Sequence, residues 1–163
     1  LRTGRFTSPH LIDVTERICV DGEPIPPERF DEIWFQIQPM VEMVDERLID
    51  GVPLTFFEVV TAMAYAAFAD APVDVAIVEV GMGGSWDATS VADAQVAVVC
   101  PIDLDHTHLL GDTLEEIATE KAALIKPGSI AVVARQHPEV DAVLAARAAQ
   151  VGAATGLGAL RCL

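Results

Sequence analysis

Three places in this sequence put ionisable side chains where apolar segments end or turn inward. Residues 73–80 (VDVAIVEV) form an apolar run whose penultimate residue is Glu79, and the run opens directly into Gly81-Met82-Gly83-Gly84. A carboxylate on a buried strand is costly unless a cation or hydrogen bonds satisfy it, and glycines let a backbone turn sharply and approach a ligand closely. Metal binding is therefore favoured over an ion pair with a neighbouring Lys or Arg. A second apolar run, 95–102 (QVAVVCPI), leads into Asp103-Leu104-Asp105-His106-Thr107-His108. Carboxylate oxygens suit Mg²⁺ and a neutral imidazole can join them, although acids and histidines also fill ordinary loops, and only the position at a strand end favours the metal. The third place is Lys121. On a helix expected over 113–125, Leu114, Ile117, Ala118, Leu124 and Ile125 form one apolar stripe, and at about 100° per residue Lys121 falls in its middle. An ammonium aimed there must snorkel, pair, lose its charge or be chemically modified. Glu58 poses a similar question near the start of another helix, where a capping hydrogen bond is the ordinary answer.

The elements that must position these groups follow from periodicity. A short strand runs through 5–10 into a loop at Ser8-Pro9, and Asp21-Gly22 signals a turn after Ile18-Cys19-Val20. A helix starts near Pro27, with Ile33, Ile37, Val41, Val44 and Leu48 at helical spacing and Pro39 as a candidate kink. A second helix over 55–69 is apolar nearly all round, which predicts burial on several sides. Residues 73–80 and 95–102 are apolar on both alternating faces, as expected of central parallel strands covered by helices. The helix over 113–125 has a cap at Asp112 or Thr113 with Glu115 or Glu116 three positions on, and Pro127-Gly128 ends it. A buried strand over 129–134 and a helix over 138–151 follow. Strands alternating with helices indicate an α/β domain with a mostly parallel sheet flanked by helices, over residues 1–151, and an irregular tail over 152–163. Ligands of such sheets bind beyond the carboxyl ends of the strands.

The chain has 163 residues, enough for one domain with a substantial core, and is 52% hydrophobic, too apolar for a disordered chain. A formal net charge of −15 argues against nonspecific nucleic-acid binding, which needs clustered Lys and Arg. It leaves anionic small substrates open, because a metal or a few cations can reverse the field within a site. Most of the acids read as solvated helix faces. Glu58, Asp70, Asp74 and Glu79 interrupt the apolar stretches before any reaches the ~18 residues of a membrane span. Three distant cysteines, Cys19, Cys100 and Cys162, with no CxxC pair, fit a reduced cytoplasmic protein without a zinc site.

Several segments taken together resemble the folylpolyglutamate synthase / dihydrofolate synthase branch of the Mur ligase family. They are Thr7-Ser8-Pro9-His10-Leu11, Thr55-Phe56-Phe57-Glu58, Glu79-Val80-Gly81-Met82-Gly83-Gly84, Asp87-Ala88-Thr89, Leu104-Asp105-His106-Thr107, Leu110-Gly111-Asp112-Thr113, and Glu120-Lys121-Ala122 followed by Lys126-Pro127-Gly128. They occur in family order and spacing over residues 3–135, and the ordered series is specific where each member alone is weak. The resemblance implies a partial Mur ligase central domain of the P-loop NTPase-like type. It implies an ATP-dependent ligase that joins L-glutamate to a folate or dihydropteroate carboxylate through an acyl phosphate. It further implies two Mg²⁺ ions, one on Glu79 with Ser8 near the metal and nucleotide phosphates, the other on His106, with Lys121 as the family's carbamylated lysine. Ser8, Pro9, His10, Phe57, Asp87 and Ala88 match positions that hold the pterin or line the folate site.

The sequence also departs from the family. The Gly-rich phosphate loop ending in Gly-Lys-Ser or Gly-Lys-Thr is expected upstream of Arg2 and is not among these residues. The domain that completes the nucleotide and glutamate sites is not among them either. Ser85 stands where Arg is usual, Ser90 where Asn is usual, and Asp103 where a small residue is usual. The expectation is a fragment that is inactive by itself. Its alternatives are a noncatalytic remnant or folate- or metal-binding module, and a cell-wall ligase, which the TSPHL and TFFE segments disfavour.

Overall fold

The computed structural model describes residues 1–47 and 51–156. Within it the chain falls into two compact units, Leu1–Gly81 and Met82–Leu163, each with its own sheet and core. Leu48 of the expected helical series, and residues 157–163 of the expected tail, lie outside the described residues.

In the first unit, β1 (Thr3–Phe6) is flanked by β2 (Ile18–Val20) and β4 (Val75–Val78), and β3 (Glu23–Pro24) lies beyond β2. The β1/β2 and β2/β3 pairs are antiparallel, whereas β1 and β4 are parallel with Phe6 opposite Val78. Asp21 (φ 53°) and Gly22 (φ 90°) make the two-residue turn joining β2 to β3. Both must be left-handed for the turn to match strand twist, which is why an Asp-Gly pair stands there. Helices α1 (Pro27–Arg47) and α2 (Phe56–Asp70) cover the sheet. α1 runs on through Pro39 and buries Ile33, Ile37 and Val41. α2 buries Val60, Thr61, Met63, Ala64, Ala67 and Phe68, one broad face rather than its whole circumference, and Ala62 and Ala69 stay exposed. Arg29 of α1 reaches Asp70 of α2 at 2.6 Å. Gly4 lets α2 come close to β1, since a Cβ there would lie 2.7 Å from the Phe68 ring.

In the second unit, β6 (Ile130–Val133) lies between β5 (Val96–Val99) and β7 (Ala154–Gly156), all parallel. The tail expected to be irregular thus begins with a strand. Helices α4 (Leu114–Ala122) and α5 (Pro138–Val151) pack together, with one turn, α3 (Thr107–Leu110), before them. Ile117, Ile125, Ala131, Val140 and Leu144 form the centre of this core. α4 is shorter than the apolar stripe suggests. Its regular part ends at Ala122, and Leu124 and Ile125 donate three residues back, to Lys121 and Ala122.

The sequence pattern misjudged the surroundings of β4 and β5. The expected α/β class, with parallel strands flanked by helices, holds in two sheets of which the first is mixed, but β4 and β5 each have one hydrogen-bonded neighbour rather than two. Three of the four β4 residues are exposed, and β5 alternates exposed and buried. An all-apolar run records which residues tolerate burial, whereas the actual cover depends on neighbours that the local pattern does not encode. Among the described residues no helix is long and apolar enough to cross a membrane.

Ile77 on the β4 edge is 60% exposed, and an open apolar edge is a template for association. Ile77→Lys is expected to shift the 163-residue chain toward monomer and delay heat-induced scattering. Its folding stability should change by no more than about 0.5 kcal/mol. Light scattering and size-exclusion chromatography beside a denaturant melt check both expectations.

Candidate functional site

Parallel pairing of β1 and β4 makes the loops that leave their carboxyl ends start side by side. Glu79 N–H donates to the Phe6 carbonyl at 2.9 Å, continuing the ladder one residue. The Glu79 side chain turns to the other loop, where its Oε2 accepts from the Ser8 N–H at 2.8 Å. Two residues singled out for the same role, 71 positions apart, are thus joined directly. Glu79 is not the buried strand acid expected from the apolar run: β4 ends at Val78 and Glu79 is exposed, so no burial penalty demands a cation. What remains is a carboxylate with one oxygen held by a backbone N–H, next to a serine. These are hard oxygen donors of the kind a divalent cation such as Mg²⁺ takes.

Other residues of the first unit close around this pair. The Phe57 ring lies under Gly81, where an added Cβ would come within 2.5 Å of Cζ, and it meets Phe6 with ring centroids 5.8 Å apart. Glu58 closes a capping box with Thr55. The Ser8-Pro9 peptide is cis, Pro9 is exposed and His10 half-buried. His10 Nδ1 accepts from Arg17 Nε at 2.9 Å. The segment after His10 is held by Glu16, whose carboxylate accepts from the N–H groups of Leu11 (2.9 Å), Ile12 (3.0 Å) and Asp13 (2.8 Å). Those bonds, Leu11's first, hold the Glu16 carboxyl below its usual range, and the Thr15 N–H and hydroxyl do the same for Asp13.

In the second unit, Gly83 and Gly84 pack on α4. A Cβ on Gly84 would sit 2.5 Å from the Glu120 carbonyl oxygen and 3.3 Å from Lys121 Cα, so only glycine lets the loop lie against that turn. Glu120 Oε1 fastens the loop from the other side by accepting from Gly84 N (3.2 Å), Ser85 N (2.8 Å) and Ser85 Oγ (2.7 Å). Asp87 is buried, and both its oxygens serve its own loop, Oδ2 accepting from Met82 N and Oδ1 from the Thr89 N–H and hydroxyl. Ala88 beside it is half-buried. Lys126 Nζ donates to the carbonyls of Ser90 and Ala92 and to Asp93. A cleft of about 320 Å³ is lined by Trp86, Leu109, Leu110, Glu115, Glu116, Thr119 and Glu120, and none of the residues expected to hold metal or folate is among them.

Lys121 is half-buried rather than enclosed in the core, and its Nζ has no hydrogen bond or ion pair among the described residues. His106 caps α3 with left-handed backbone (φ 51°), and its Nε2 lies 3.7 Å from Asp105 Oδ2. Ser8 and Glu79 belong to the first unit, His106 and Lys121 to the second. Among the described residues no three His, Cys, Asp or Glu side chains gather closely enough to hold a metal ion. Sequence reasoning passed over Arg17 and Glu16 and gave Glu120 and Lys126 no role of their own. Glu16 carried a readable signal, an Asp followed by Glu three positions later. The other three act on partners 7 to 36 residues away, which no local pattern marks.

Gly84→Ala is expected to destabilise the second unit by about 1–3 kcal/mol and to speed amide exchange over 83–87, whereas Ser85→Ala should cost about 1 kcal/mol or less. Thermal melts and exchange rates separate the two. A pH test applies to the first unit. A carboxyl whose pKa falls on folding contributes stability that is full above its unfolded pKa and is lost as pH drops through its folded value. The Leu11 and Ile12 amides should therefore stay protected at neutral pH and lose protection below about pH 4. Glu16→Gln should lose protection at all pH values; unchanged protection would refute the clamp.

No protein-family model matches the chain. Among curated proteins it is 48% identical to the dihydrofolate synthase/folylpolyglutamate synthase of Mycobacterium tuberculosis, over 93% of this chain and 34% of that protein. Crystal structures of Mycobacterium tuberculosis folylpolyglutamate synthase with ADP and AMPPCP superpose with a TM-score of 0.90 at 48% identity, covering 95% of this chain and 36% of theirs. A folylpolyglutamate synthase complex with AMPPCP and folate gives a TM-score of 0.89 at 37% identity, over 95% of this chain and 38% of that one. The chain thus spans about a third of the length of these relatives.

Proposed function

We propose, on the premise that this chain belongs to the folylpolyglutamate synthase / dihydrofolate synthase family as one stretch of it, that it supplies the metal- and folate-facing residues of an ATP-dependent ligase. That ligase joins L-glutamate to the carboxylate of a folate or dihydropteroate. A substrate carboxylate oxygen attacks the γ-phosphorus of ATP and ADP leaves. The glutamate amine then attacks the acyl carbon, phosphate leaves, and the amine gives up a proton as the amide forms. The observation that carries the reading is the Ser8–Glu79 hydrogen bond at 2.8 Å, because it joins the two residues that the family resemblance puts at one metal.

In this reading Glu79 and Ser8 hold one Mg²⁺, and His106 with Lys121 the other. Bound magnesium neutralises charge on the transferring phosphoryl group and orients it. Lys121 becomes an anionic ligand if its neutral amine adds carbon dioxide and releases a proton, leaving a carbamate. Its unpaired Nζ and the bare glycine backbone against its turn support this role. Ser8, Pro9, His10 and Phe57 face the folate. By the family resemblance Asp87 and Ala88 also match folate-site positions, and Asp87 fixes the loop that carries it, since both its oxygens are committed there. The phosphate-cradling glycine loop is not among these 163 residues, so ATP binding depends on residues outside them.

The test is a chimera in which residues 3–135 replace the matching stretch of the Mycobacterium tuberculosis relative. It should release ADP in a Mg²⁺-, glutamate- and folate-dependent way. Lys121→Ala should lower turnover by roughly two orders of magnitude or more, with partial recovery in acetate or another small carboxylate. Glutamate-independent ADP release would sink the ligase reading, and full turnover in the alanine variant would sink the role of Lys121.

A further inference from the structure

Arg17 is buried at the end of the short 3₁₀ turn Val14–Arg17, a place where a guanidinium rarely sits unless it has work to do. No motif singled it out. Its Nε donates to His10 Nδ1 at 2.9 Å, and its Cζ lies 5.2 Å from the centroid of the Phe56 ring. The cation–π contact with Phe56 and the hydrogen bond to His10 together hold the guanidinium beside the imidazole.

The chemistry of that contact has one outcome. A guanidinium carries donors only, so the ring nitrogen facing it must offer a lone pair. His10 Nδ1 is then bare, and the one ring proton of a neutral imidazole sits on Nε2. The other charged groups near His10 are the carboxylates of Asp13 and Glu16. Neither bonds to the ring, since both are occupied by N–H groups of their own turn and by the Thr15 hydroxyl. The direct contact therefore decides the tautomer. Among the described residues His10 Nε2 has no protein partner.

We infer that Arg17 is a positioning residue, orienting the His10 ring so that Nδ1 accepts from the guanidinium and Nε2–H is the donor turned to a hydrogen-bond acceptor of the folate substrate. This rests on the reading that the Ser8–His10 segment faces the folate, and it goes further by giving the polarity of that contact and the residue that sets it. An acceptor atom, a ring nitrogen or carbonyl oxygen of the heterocycle, would pair with His10, and a donor at that place would be rejected.

Histidine side-chain ¹H–¹⁵N correlation spectra of the 163-residue chain test the coupling without any ligand, with His10 assigned by signal loss in His10→Gln. At neutral pH the unmodified chain should show the Nε2–H tautomer, and Arg17→Met a mixture of both. If Arg17→Met does not fold, Arg17→Lys, which keeps the charge but lacks the planar fork, should also give a mixture. An Nδ1–H tautomer in the unmodified chain, or an unchanged pattern in the variants, would overturn the inference. In the chimera, His10→Gln and Arg17→Met should each raise KM for the folate acceptor about tenfold, the double variant no further, with KM for ATP and kcat nearly unchanged. If His10→Gln leaves the folate KM alone while the tautomer result holds, the folate reading of this segment fails. If His10→Gln raises it and Arg17→Met does not, the positioning role fails.

Discussion

The parallel pairing of β1 with β4 is the constraint on which the candidate site of the first unit depends. Because Phe6 lies opposite Val78 and the strands run the same way, both chains leave the sheet at one end, and a backbone N–H from one loop can meet a carboxylate from the other. A one-residue slip would send Glu79 to the opposite face. The buried Phe6 and Ile18 and the close approach of α2 over Gly4 hold the register. The Ser8–Glu79 hydrogen bond is thus a consequence of packing some distance away, and its geometry is only as exact as the sheet beneath it.

The second unit solves a similar problem with side chains. Its glycine-rich loop has no ladder to hold it, so Glu120 fastens it from α4, Asp87 ties it to itself, and Lys126 ties down the segment that follows. Glycine at 84 removes the one atom that would keep the loop off the helix. The result brings backbone close to Lys121 and leaves the lysine's amine without a protein partner among the described residues. A cation left unpaired on a half-buried turn fits a group that is altered or recruited by something bound.

The acidity of the chain acquires a structural meaning in this light. Glu16, Glu58 and Glu116 each close a capping box, and Asp13, Asp21, Asp45, Asp74, Asp87 and Glu120 also accept from backbone N–H groups. These carboxylates are the acceptors that turns and helix starts lack. Net charge excludes some partners, but it says little about where the negative charge acts.

By itself the sequence determined what depends on near neighbours: helices α1, α2 and α5 from apolar spacing, the Asp21-Gly22 turn, a cap on Glu58's helix and another at Asp112 or Thr113, and the series of short motifs that named the family. Tertiary structure decided what depends on distant partners. It made β4 and β5 edge strands rather than central ones, left Glu79 in the open, held Lys121 at half depth, placed a strand in the glycine-rich tail, and set Arg17 against His10. The physical reason is that hydrophobic period and capping act over a turn of chain. Burial, edge position and ion or hydrogen-bond partners are fixed only when segments tens of residues apart pack together.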